Sequence, residues 1–150
     1  MRSMDLSDCR QGRLRDAAGL MLADPTGNGL VSLARMATAG TSAYGTDGKH
    51  VVCKGSDACM SPGLNAIFVD VSAGRSLGTI AADFIHEGRH TAEDQGELAA
   101  WNAALDFWES AGNPHRDDYW YGVMSRARTN DPAEYKRVVQ EAAAKTGNKP

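Results

Sequence analysis

Apolar residues recur at helical spacing through several stretches of this chain, with a β-rich middle between them. Leu6, Leu14, Ala17, Ala18 and Met21 mark a first helix from Asp5 to about Ala23, which Asp24-Pro25-Thr26-Gly27-Asn28-Gly29 stops with strong turn chemistry. A shorter helix, Leu30 to Ala37, puts Leu30, Leu33 and Ala34 on one side. Asp47-Gly48 then signals a tight hairpin between Ser42-Ala43-Tyr44 and Lys49-His50-Val51-Val52-Cys53. Ser61-Pro62-Gly63 marks another turn before Asn65-Ala66-Ile67-Phe68-Val69-Asp70-Val71, the segment richest in β-formers. From Ser76 onward the period is helical again. Leu77, Ile80, Ala81, Phe84 and Ile85 form one stripe behind an N-cap at Ser76, and Leu98, Trp101, Leu105 and Trp108 form the next. Gly112-Asn113-Pro114 is a stop, a segment from Asp117 to Arg128 carries Tyr119, Trp120 and Tyr121, and Asp131-Pro132-Ala133-Glu134 opens a last helix. In that helix Tyr135, Val138, Val139 and Ala142 face the core. The pattern predicts an α+β fold.

The helix after Ser76 carries His86-Glu87-Gly88-Arg89-His90, an HExxH motif. Residues i and i+4 differ by only about 40° around a helix axis, so both imidazoles can converge on one tetrahedral metal ion. Glu87 is offset by roughly 100° from His86, which suits a general base acting on a zinc-bound water. Thr79, Asp83, His86, His90 and Glu93 occupy a sector distinct from the apolar stripe. A third ligand is needed, and Glu97 is the favoured one. Thr91-Ala92-Glu93-Asp94-Gln95-Gly96 provides a helix break, with Gly96 able to adopt the left-handed conformation. Glu97 then lies in the first turn of the next helix, about 40° from the core-facing Trp101. Glu93, Asp94 and His115 are reserves. A first-turn Glu also caps helices, so Glu97 has a structural reading beside the ligand one.

Composition narrows the picture. The chain has 150 residues, 42% of them hydrophobic, which suits a single domain, residues 1–150, with a core of its own. A net charge of -3 with unclustered basic residues gives no case for nucleic acid. No apolar run approaches a membrane span, and Met1-Arg2-Ser3-Met4-Asp5 lacks the apolar core of a signal peptide. The expectation is a soluble protein, native or excised from a longer one. Cys9, Cys53 and Cys59 are an odd count. Cys53 and Cys59 suit a short bridge and two reduced thiols equally well, and no metal is assigned to them.

The strand, the HExxH helix and a following Glu97-Leu98-Ala99-Ala100 helix together resemble the glutamate-ligand branch of the zincin metallopeptidases. With Leu22-Ala23-Asp24-Pro25-Thr26-Gly27 upstream, the chain is similar to compact effector and polymorphic-toxin metallopeptidase domains of the NleD type, over about residues 20 to 110. Arg89 departs from the family pattern, which prefers an uncharged residue there, and Gly88 is a poor helix former that suits a close approach. The resemblance implies a small twisted, mainly antiparallel sheet packed on the active-site helix, with further helices C-terminal. It implies zinc held by His86, His90 and Glu97, Glu87 as catalytic base, and hydrolysis of a peptide bond. It further implies that Ile67, Phe68 and Val69 lie on an edge strand where extended substrate pairs. The partners implied are a protein or peptide substrate and a cognate immunity protein, with delivery by a dedicated secretion system. His115, Tyr119 and Tyr121 are candidate oxyanion donors, the tyrosines having a competing role as core aromatics. Two other functions are compatible with the motif: a zinc amidase acting on cell-wall peptide, and a binding module in which zinc is purely structural.

Overall fold

The computed structural model describes residues 3–4, 8–44, 53, 56–72, 74–91, 96–111 and 119–146. After strand β1 (Ser3–Met4) come helices α1 (Asp8–Leu22) and α2 (Asn28–Thr38). Leu14, Ala17 and Met21 bury one face of α1. The turn between the helices is organised by Asp24, whose carboxylate accepts from Thr26 N (2.9 Å), Thr26 Oγ1 (2.6 Å) and Gly29 N (2.9 Å). A Cβ on residue 29 would stand 2.0 Å from the Met21 carbonyl oxygen, so only glycine lets the two helices meet this closely. That contact sets the rotation of α2. Gly29, Ser32 and Met36 face inward, and Leu30, expected on the core side, is 60% exposed.

Strands β2 (Gly40–Tyr44), β3 (Ala58–Ser61) and β4 (Ala66–Asp70) complete a sheet of order β1-β2-β4-β3. The expected antiparallel character is corrected: β1–β2 and β2–β4 are parallel, and only β3–β4 is antiparallel. The α1–α2 pair is a crossover between β1 and β2, and helical crossovers return the chain in the same direction. The reversal from β3 into β4 is a 3₁₀ turn at Pro62–Leu64 followed by Asn65 at φ 46°. The hairpin expected at Asp47-Gly48, and its second strand apart from Cys53, lie outside the described residues.

A second correction follows from the strand order. β4 is an interior strand, with Ala43 of β2 and Ala58 of β3 both opposite Val69. Ile67, Phe68 and Val69 are all buried, so they offer no edge to a substrate. Among the described residues the outer strand on that side is β3. Its residues read as turn and loop in the sequence, and they form a strand because β4 supplies them a ladder.

Helix α3 (Leu77–His90) begins as expected, with Ser76 extended and its hydroxyl accepting from Thr79 N at 3.2 Å. Every residue from Gly78 to Ile85 is buried, because α3 is packed by α1, α2, β3, β4 and α4 (Glu97–Ser110). Thr79 and Asp83, which the periodicity put in a polar sector, are therefore interior. Helix α5 (Tyr119–Asn130) packs on α4, and α6 (Pro132–Thr146) packs on both. Asp131 caps α6 by accepting from Glu134 N at 3.2 Å, and Tyr135, Val139 and Ala143 seat it. No described helix is long and apolar enough to cross a membrane.

Candidate metal centre

The last turn of α3 and the first turn of α4 meet at three side chains. His86 Nε2 stands 3.1 Å from Glu97 Oε2, His90 Nε2 stands 3.3 Å from Glu97 Oε1, and the two Nε2 atoms are 3.3 Å apart. Among the described residues this is the group of three His, Cys, Asp or Glu able to hold a metal ion. All three are shielded, with side-chain exposures of 12%, 10% and 7% for His86, His90 and Glu97.

With Glu97 ionised and both imidazoles neutral, every arrangement of protons leaves one edge of this triangle unfavourable. A neutral imidazole has one N–H and one bare nitrogen. If both Nε2 atoms carry protons, Glu97 accepts twice but two N–H groups face each other along the His86–His90 edge. If one Nε2 is bare, its lone pair faces a carboxylate oxygen. A cation among the three donors removes both conflicts. Three ligand atoms about 2.0–2.1 Å from a tetrahedral zinc stand about 3.3–3.4 Å apart, close to the separations found here. The donor set fits zinc, since imidazole and carboxylate are its usual nitrogen and oxygen ligands.

Local chain geometry delivers Glu97. Helix α3 stops at Thr91, which is extended (φ -82°, ψ 157°) and whose Oγ1 donates to the Gly88 carbonyl at 2.7 Å. Gly96 is not the left-handed residue expected; it is extended (φ -68°, ψ 171°) and is the N-cap of α4. Thr91 and Gly96 are thus extended at the facing helix ends, and Glu97 lies in a first turn against His86 and His90. Glu93, Asp94 and His115, the reserve ligands, lie outside the described residues.

Glu87 is 8% exposed. Burial holds its carboxyl above the usual carboxylate range, against the opposing pull of His86 and His90, with Asp83 and Glu97 reinforcing the rise. Gly88 serves packing on the opposite side of the helix. A Cβ there would stand 2.8 Å from Ser32 Cβ and 2.9 Å from Ser32 Oγ, while Ser32 Oγ donates to the Ile85 carbonyl at 3.2 Å. The Arg89 guanidinium reaches α2, where it donates through Nη2 to Asn28 Oδ1.

Beyond the ligands lies a polar cluster that motif reading did not identify. Asp83, one turn before His86, accepts from Arg75 Nη2 at 2.5 Å and from Tyr121 Oη at 2.7 Å. Arg75 also donates through Nη1 to the Asp70 carbonyl at the end of β4 (2.8 Å). Tyr121, a candidate oxyanion donor, is thus buried with its hydroxyl given to Asp83, and Tyr119 is 68% exposed against Trp120. Trp101 lies edge-on to His86, with ring centroids 5.1 Å apart. The available signal was positional: Asp83 precedes His86 by three residues and Trp101 follows Glu97 by four, so each shares a helix face with a ligand. Cys53 and Cys59 are disulfide-bonded, closing the loop that leads into β3.

No family model, curated protein or solved structure matches this chain.

Proposed function

We propose that this chain is a zinc-dependent hydrolase of peptide bonds. The observation that carries the reading is the His86–His90–Glu97 triangle, whose edges suit a tetrahedral ion, with buried Glu87 beside it on the same helix. His86, His90 and Glu97 would hold the ion. Zinc bound there supplies Lewis acidity, polarising a carbonyl and acidifying water. Glu87 takes a proton from the attacking water as its oxygen bonds to the carbonyl carbon. The same carboxyl returns the proton to the departing nitrogen as the C–N bond breaks.

Substrate main chain pairs with β3, the outer strand on the β4 side among the described residues, which packs against α3. This replaces the Ile67–Val69 segment as the docking strand. The Cys53–Cys59 disulfide supports a working place outside a reducing cytosol, consistent with an exported effector or toxin domain.

The test is zinc content together with cleavage of unfolded proteins and of purified peptidoglycan, for the parent, Glu87→Gln and His90→Ala. The parent is expected to hold one zinc per chain and to cleave protein. Glu87→Gln should keep the metal and lose activity by at least about 10²–10⁴-fold, and His90→Ala should lose both. Full activity in Glu87→Gln sinks the assignment of the base. Cleavage of peptidoglycan alone moves the reading to a cell-wall amidase.

A further inference from the structure

The two ligand-bearing helices share a third contact, supplied from α5. Tyr121 Oη donates to Asp83 Oδ1 at 2.7 Å, three residues before His86 on α3. The ring of Tyr121 also lies 5.6 Å from that of Trp101, four residues beyond Glu97 on α4, and stacks on Trp108 at 6.3 Å with an interplanar angle of 20°. Trp101 in turn presses edge-on against His86 at 5.1 Å. Asp83 is fixed from its other side by Arg75, itself tied to the end of β4. One side chain therefore grips α3 and α4, each within a turn of its metal ligand, and sets the spacing between them.

We propose that Tyr121 is a positioning residue for the metal centre: with Asp83 and Trp101 it staples α3 to α4 and holds the His86 ring and Glu97 at the separation the ion needs. The proposal rests on the metal reading of His86, His90 and Glu97 but adds a device outside the ligand set. Groups that orient metal ligands from outside change affinity by about 10–100-fold when removed. The hydroxyl carries the α3 arm of the staple; Trp101 and Trp108 both meet the ring from α4, and Trp101 is the one that reaches His86.

Two variants separate positioning from bulk stability. Tyr121→Phe removes the hydroxyl and keeps the ring; Trp101→Leu removes the α4 ring that reaches His86, at a half-buried position, leaving the buried polar groups and the Trp108 stack intact. Zinc affinity, measured by competition with a chelator on folded protein, is expected to fall about 10–100-fold in each. In a Glu97→Ala background, where α4 supplies no ligand, Tyr121→Phe should cause a smaller further loss. On metal-free protein, the ring-current displacement of the His86 proton resonances by Trp101 should be present in the parent and reduced in Tyr121→Phe. Unchanged affinity in both variants, or an equal loss with and without Glu97, overturns the staple. If the parent takes up no zinc, the metal reading falls, and the metal-free His86 resonances decide the staple alone: a displacement unaltered by Tyr121→Phe refutes it.

Discussion

Position 88 shows how a single residue can run against its own helical preference. Glycine in a helix interior costs roughly 1 kcal/mol relative to alanine, yet here it sits in the motif helix one residue from Glu87. The reason is Ser32, whose Cβ would lie 2.8 Å from any Cβ at 88. Both atoms are on packed helices, so neither can swing away as a long side chain would. Overpacking of this kind costs about 1–3 kcal/mol, which outweighs the propensity gain. Gly88→Ala is therefore expected to lower the denaturant midpoint. Ser32→Gly in the same chain should recover part of the loss, although it gives up the Ser32–Ile85 hydrogen bond. Equal stability of Gly88→Ala and the parent would contradict the contact. The same residue separates function from packing: the glycine opens toward α2, while Glu87 and the histidines serve the other side.

At the scale of elements, α6 is held to α4 by a buried phenol. Tyr135 is 4% exposed and its hydroxyl donates to Asn102 Oδ1 at 2.8 Å. Burial pushes its ionisation up to about 12, with Asp106 and Glu109 adding to the rise and Arg128 opposing it. An unfolded tyrosine ionises near about 10. Below that pH both states keep the proton and the contribution is fully present. Between about 10 and 12 the unfolded state ionises first, so stability falls, approaching about 1.4 kcal/mol per pH unit from this one group. Denaturant titrations of the parent from pH 9 upward should show that slope, and Tyr135→Phe should flatten it. Elements with local causes were legible in the sequence: the Ser76 cap, the Asp131-Pro132 start, and the phase of Ile80, Phe84 and Ile85 that anchors the HExxH helix. Glu97 was legible because a first-turn position four residues before the inward-turned, half-buried Trp101 has a defined direction. The sheet order was not, since β2–β4 pairing joins residues 26 apart, such as Gly40 and Ala66, and no local pattern reports it. The Asp83–Tyr121 bond spans 38 residues and was hidden for the same reason.

For the whole molecule, a metal ion held by His86, His90 and Glu97 would also be a clamp. Its donors come from two helices of one buried interface, so the three atoms converge only when α3 and α4 are docked. An unfolded chain scatters them, so zinc held by these donors would bind the folded state in preference. The stabilisation follows mass action: free zinc at a thousandfold excess over its dissociation constant adds about 4 kcal/mol. In a domain of this size each kcal/mol moves the melting midpoint by about 2–4 °C, so zinc is expected to raise it by roughly 8–16 °C. A chelator should return the midpoint to the metal-free value. Magnesium should leave it unmoved, because that ion prefers oxygen donors and near-octahedral sites, and this centre offers two imidazoles. Removing one ligand by His90→Ala or Glu97→Ala should shrink the zinc-dependent rise, while Glu87→Gln should preserve it. That contrast separates residues that hold the ion from one that acts beside it, without requiring a substrate. Thermal melts of the four proteins with zinc, with chelator and with magnesium make the measurement, and a parent whose midpoint ignores zinc would remove the centre from the fold's energetics.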